Sequence, residues 1–148
     1  MGTWSTSATM DGRPEQVLDV LTDPGACGRW SPVAFEVDGA RRLAAGTRAR
    51  VGGRLVGRRI EFDVEVVEAD DRSLALRAAG PIDIEARYDA WPLGPATRLD
   101  ASVSVRSRGG LLGRALARAA DGLLAAGALD AALARIAGEV APGRAVAA

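Results

Sequence analysis

Hydrophobic and polar positions alternate along most of the first hundred residues. From Trp4 to Met10, Trp4, Thr6, Ala8 and Met10 share one side and Thr3, Ser5, Ser7 and Thr9 the other, the period-two pattern of a short first strand. Asp11-Gly12 ends it. Arg13-Pro14-Glu15 then opens a helix, because proline is tolerated at the first helical position and glutamate suits the positive end of the dipole. Val17, Leu18 and Leu21 supply its buried stripe. Asp23-Pro24-Gly25 breaks that helix, a second short helical or irregular piece is expected from Cys27 to Trp30, and Ser31-Pro32 turns the chain again. Six further strands are predicted at Phe35 to Asp38, Thr47 to Gly53, Arg58 to Glu68, Ser73 to Ala79, Ile82 to Trp91 and Thr97 to Arg106. The turns between them are short, which favours antiparallel hairpins over parallel crossovers. The alternation is cleanest in Ile60 to Val66 and Leu99 to Val105, each with one apolar and one wet face.

From Gly110 to about Val140 the period changes. The stretch is rich in Ala and Leu and contains no proline, and it predicts a long C-terminal helix. At about 100° per residue, Arg114, Arg118, Asp121, Arg135 and Glu139 fall on a wet side, with Leu112, Leu116, Ala119 and Leu123 opposite. The dry side needs a sheet, and the sheet's apolar face needs a lid. In an unbroken helix Asp130 would join the dry side, where an unpaired carboxylate is costly. Either a kink at Gly127 shifts the phase and brings Asp130 into the first turn of a second helical segment or out to solvent, or Asp130 is a cavity carboxylate paired with an arginine such as Arg54 or with a ligand. The tail 142–148, opening with Pro142-Gly143, is expected to be frayed and flexible, leaving a single domain over 1–141.

Composition narrows the chemistry. The 148 residues carry 19 basic and 19 acidic side chains, a formal net charge of zero, so no large field draws the protein to nucleic acid or to an anionic membrane. The basic residues are all arginine. Without His or Lys there is no imidazole base and no Schiff-base amine, and a lone Cys27 forms neither an intramolecular disulfide nor a thiolate metal site. No metal and no cofactor is expected. No basic, apolar leader opens the chain and no run is apolar enough to span a bilayer, so a cytoplasmic protein without stable membrane insertion is expected; a homodimer is left open. Gly52-Gly53 and Gly109-Gly110 lack the context of a phosphate loop, and Arg41-Arg42 and Arg58-Arg59 read as solvated strand ends.

The order strand, two short helical pieces, six strands and long helix carries a resemblance. With it go Pro14-Glu15-x-Val17, Asp23-Pro24, Trp30 before Pro32, Ala45-Gly46-Thr47 and Gly127-x-Leu129-Asp130. Together they resemble the START-like or Bet v 1-like superfamily, in particular bacterial polyketide cyclase/dehydrase-type SRPBCC proteins, over nearly the whole chain. The resemblance implies an α+β helix-grip fold: a curved antiparallel sheet of about seven strands wrapped around the C-terminal helix, with an apolar cavity between them. It implies binding of lipids, sterols, polyketides or quinones more strongly than any reaction.

Parity then nominates lining residues. Tyr88 shares its inward side with Ile82, Ile84, Ala86 and Ala90, and reads either as a ligand contact or weak acid or as a core tyrosine; Phe62 is wall. Trp30, where the resemblance places the cavity mouth, is a gate or a hinge. Leu116 and Leu123 come from the helix, and Asp130 completes the candidate ligand-binding set. Trp4 is expected to pack at a sheet edge, and Trp91, on the polar parity, to be a partner contact or a surface aromatic. Three functions follow: a module sheltering a small hydrophobic molecule such as a lipid, polyketide or quinone; a polyketide cyclase/dehydrase in which Tyr88, an arginine and an acid orient the substrate; or a protein-interaction domain.

Overall fold

The alternating segments pair into one antiparallel sheet in a computed structural model that describes residues 2–23, 35–37, 44–55 and 58–147, with the backbone alone at 2, 35–37, 54–55, 58 and 141–147. The strands are β1 (Gly2–Asp11), β2 (Phe35–Val37), β3 (Arg48–Leu55), β4 (Arg58–Ala69), β5 (Ser73–Ala79), β6 (Ile82–Leu93) and β7 (Ala96–Ser107), and helix α1 (Pro14–Leu21) follows β1. Their order is β1-β7-β6-β5-β4-β3-β2. Strands β2 to β7 each pair antiparallel with the next in sequence, and β1 pairs with β7 from Gly2↔Val105 to Asp11↔Ala96, so the first strand closes against the last. The second helical piece expected around Cys27 to Trp30, and Trp30 with it, lies outside the described residues.

Register decides which side chains meet. Thr6, Ala101, Tyr88 and Leu74 form one row across the inner face; Trp4, Val103, Ala86 and Leu76 form the next; Val105, Ile84, Ala78 and Val64 a third. A bulge between Val66 and Glu68 leaves Val67 exposed while Val66 and Ala69 remain on the inner side. Helix α1 begins at Pro14, and Gln16 Oε1 accepts the Arg13 backbone N–H at 2.8 Å, satisfying one donor at the helix start. It buries Pro14, Val17, Leu18 and Leu21.

The C-terminal segment is two helices, α2 (Gly110–Ala125) and α3 (Ala128–Ala147), rather than one. Gly127, at φ +94°, makes the break; such a conformation crowds a side chain's Cβ but costs glycine little. The phase reset places Asp130 in the first turn of α3, where a carboxylate favours the helix dipole, and leaves it exposed. Helix α3 is continuous in the backbone through Pro142 and Gly143 to Ala147.

The buried side of α2 is also rotated from the leucine-based expectation. Gly113, Leu116 and Ala117 are buried and Ala120 and Leu124 pack on the core, whereas Leu112 and Leu123 are 46% and 40% exposed. Size explains the rotation. A Cβ on Gly113 would stand 3.2 Å from the Pro81 carbonyl and 3.3 Å from Ser107 Oγ, so the helix meets the sheet along its smallest residues. Helix α3 buries Leu129, Ala132, Leu133, Ile136 and Val140 against β1 and α1. At its far end Val140 closes on Gly12, whose carbonyl accepts the buried Thr97 hydroxyl at 2.8 Å.

Two glycines in this region should respond oppositely to alanine. Gly122 is exposed and helical, with no atom near a built Cβ, so Gly122→Ala is expected to stabilise by about 0.5–1 kcal/mol. Gly127→Ala, at positive φ, is expected to cost about 1–2 kcal/mol. Urea melts of the two variants check both signs.

Candidate ligand-binding site

The described side chains on the inner face of the sheet carry no charge. On β1 these are Trp4, Thr6, Ala8 and Met10, and on β3 and β4 they are Ala49, Val51, Ile60, Phe62, Val64 and Val66. On β5 to β7 they are Leu74, Leu76, Ala78, Ile82, Ile84, Ala86, Tyr88, Ala90, Thr97, Leu99, Ala101, Val103 and Val105. Among these described side chains Tyr88 is the sole ionisable one. Charged residues occupy the opposite parity, where Arg48 pairs with Glu65 at 3.3 Å, Arg50 with Glu61 and Asp63 at 3.7 and 3.6 Å, and Arg77 with Glu85 at 3.5 Å. An open depression of about 470 Å³ on that outer side is lined by Arg48, Arg50, Asp63, Glu65 and Arg77, each charge in an ion pair, together with Ala49, Val64 and Ala79.

Burial is graded across the inner face. Leu99, Ala101, Val103 and Val105 on β7 are closed off under the helices, while Ala49, Val51, Val64 and Ala78 on β3 to β5 remain partly open and pack against none of the core cluster. This half-covered apolar floor, with Phe62 at its side, is the candidate site. Phe62 keeps its place because residue 80 is glycine: a Cβ there would lie 2.7 Å from the ring's Cδ1. Parity along the strand expected from Thr47 to Gly53 contains the signal for Ala49 and Val51, but their small or middling size beside Phe62 and Tyr88 gives no reason to nominate them.

The nominated residues separate. Phe62 lies on the inner face and is partly buried. Tyr88 and Leu116 face inward at 3% and 2% exposure, which makes them core. Leu123 is turned outward, because the buried arc of α2 runs through Leu116, Ala120 and Leu124. Asp130 is exposed and accepts a hydrogen bond from the Thr6 hydroxyl on β1; the side chain of Arg54, its suggested partner, lies outside the described residues. Trp30 lies outside them too.

A second polar tie joins β1 to the helices, since Trp4 Nε1 donates to Asp121 Oδ1 at 3.1 Å. Asp121 and Asp130 therefore stand on either side of the Gly127 break, each holding a neighbouring inward residue of the edge strand. Sequence separations of 117 and 124 residues hide both ties. Trp91 is 48% exposed on the outer face, and its Nε1 donates to Asp100 at 2.9 Å. Arg87 is held above its ordinary pKa by hydrogen bonds to Asp89 and Glu68, another outer-face cluster. Among the described residues no group of three or more His, Cys, Asp or Glu converges as a metal site, and no helix is long and apolar enough to cross a membrane.

A curved, largely apolar inner face gripped by C-terminal helices has known relatives. The family described as polyketide cyclase / dehydrase and lipid transport matches residues 1–141. The chain belongs to that family. Among solved structures, a Thermus thermophilus protein superposes at TM-score 0.74 with 19% identity, covering 96% of this chain and 99% of its own. The Zhui aromatase/cyclase of a Streptomyces species superposes at 0.74 with 16% identity, covering 94% and 93%. A START superfamily protein from Mycobacterium smegmatis reaches 0.69 with 20% identity, covering 95% and 97%. No curated relative matches the sequence. These likenesses make the fold a START-like, helix-grip α+β fold.

The Trp4–Asp121 bond is measurable by a double-mutant cycle on Trp4→Phe and Asp121→Asn. A coupling of about 1 kcal/mol in denaturant stability is expected, and purely additive losses would show that the bond contributes nothing.

Proposed function

We propose that the protein shelters a small, neutral, hydrophobic molecule against the partly open floor formed by Ala49, Val51, Val64 and Ala78, with Phe62 beside it. The observation that carries this reading is the absence of charge from the described inner face, combined with the partial exposure of Ala49, Val51, Val64 and Ala78 between the buried Ile60 and Val66 and the covered β7. An apolar ligand gains by covering such a surface, at roughly 25 cal/mol per Å² removed from water. A free carboxylate or phosphate would lose its hydration there with no cation among the described inner-face side chains in return. Lipids, quinones and polyketides without an ionised group fit; fatty-acid anions do not. The family's description, which includes lipid transport, supports a carrier.

The second reading is a cyclase or dehydrase, favoured by the same family description and by the fold shared with an aromatase/cyclase. Here the site would fold a flexible chain into a reactive shape, with confinement supplying most of the effect. No His or Lys is available anywhere in the chain as a base, and Tyr88 is packed in the core. The carrier therefore leads.

Native mass spectrometry of the purified protein, with extraction and identification of whatever travels with it, is the first test. A stoichiometric neutral apolar molecule is expected. Val64→Asp should weaken its binding about tenfold or more by placing a carboxylate in the floor. Val67→Asp, at an exposed bulge position, should leave binding unchanged. Equal binding by wild type and Val64→Asp, or a preference for fatty-acid anions, sinks the reading. Loss of water from the bound molecule on incubation would favour the cyclase/dehydrase instead.

A further inference from the structure

The outward arc of α2 is apolar without being covered. Leu111 is 87% exposed, Leu112 46% and Leu123 40%, and on a helical projection Ala115 and Ala119 lie between them, forming an arc of roughly 120° free of charge. Ala115 is exposed as well. Along one border of this arc stand Arg114 and Arg118, both exposed and, among the described residues, neither engaged in a hydrogen bond or ion pair, in contrast to the paired arginines of the outer sheet face. No acidic residue stands in the first turn, and Asp121, the helix's one acid, is turned to Trp4.

We infer that this face of α2 docks on an anionic lipid surface. Exposed leucines insert shallowly among acyl chains, while the arginines, with long apolar stems, reach the headgroups from the helix flank. A second copy fits the same face poorly. Two such helices packed antiparallel would oppose arginine to arginine, with no acid on the arc to answer them. The chain's zero net charge does not oppose the docking, because headgroup attraction acts within about a Debye length and reads the local pair of cations. Docking is independent of what the inner face binds and needs no membrane-spanning segment.

The test is flotation of the whole chain with two sets of vesicles, phosphatidylcholine alone and phosphatidylcholine mixed with phosphatidylglycerol. Binding to the phosphatidylglycerol vesicles is expected, weakened by added salt and nearly absent with phosphatidylcholine alone. Arg114→Ala and Arg118→Ala should each reduce it about fivefold. Leu111→Ser combined with Leu112→Ser should abolish it. The arginine variants touch no core residue, so they decide the matter even if the leucine variant folds poorly, which circular dichroism would reveal. Wild-type protein that ignores phosphatidylglycerol vesicles, or binding unaffected by the arginine changes, overturns the inference. So does a solution dimer that Leu112→Ser and Leu123→Ser together dissociate while vesicles remain unbound.

Discussion

A sheet with one apolar face must be covered, and here the cover comes from α3 lying along β1. Leu129, Ala132, Leu133, Ile136 and Val140 each have at most 5% of their surface exposed. Fully burying a large aliphatic side chain of this kind contributes about 1.5–3 kcal/mol. The arrangement depends on β1 being joined to β7, since β1 is the edge strand on which α3 rests. Ends of the chain that are far apart in sequence are thus held in one contact. The meander β2 to β7 is local; closure of β1 and the docking of α3 are the non-local steps that give the domain its interior.

That constraint explains where the polar groups of the helices went. Trp4 and Thr6 are inward residues of the edge strand, where α2 and α3 leave their carboxylates nearest to it. An indole N–H without an acceptor at a half-buried seam would cost stability, as would an unanswered Asp121. Each side chain satisfies the other. Two of the three acids of the C-terminal segment, Asp121 and Asp130, are therefore occupied with fixing the helices to β1, and their geometry is that of fasteners on either side of a glycine break.

The strands were legible because period-two patterning survives any tertiary context that keeps one face dry. Parity alone turned Tyr88 and Phe62 inward. It could not distinguish a tightly packed core position from a half-open one, because that depends on how far the helices extend over the sheet. The C-terminal segment was less legible for a specific reason. A wheel weighted by hydrophobicity follows leucine, but close packing on the sheet selected Gly113, Ala117 and Ala120, leaving Leu112 and Leu123 outside. The chain offered Gly127 as a means of breaking the helix, and the break resolved the position of Asp130. Ties across more than a hundred residues, such as Trp4 to Asp121, leave no local trace in the sequence.

The same size rule links the inside of the protein to its outside. Small residues on the buried side of α2 let the backbone approach the sheet, as at Gly113, so the helix sits low and its larger apolar side chains have no place beneath it. Leucines displaced from the interface must then face outward. Had α2 buried Leu112 and Leu123, it would have stood higher, filled more of the space above β3 to β5, and left a charged outer side. Close approach along β7 and β6 therefore creates two apolar surfaces at once: an inner floor toward β3 that the helix does not fully cover, and an outer arc bordered by Arg114 and Arg118. One packing choice sets both the room available for a hydrophobic guest and the surface turned toward its surroundings.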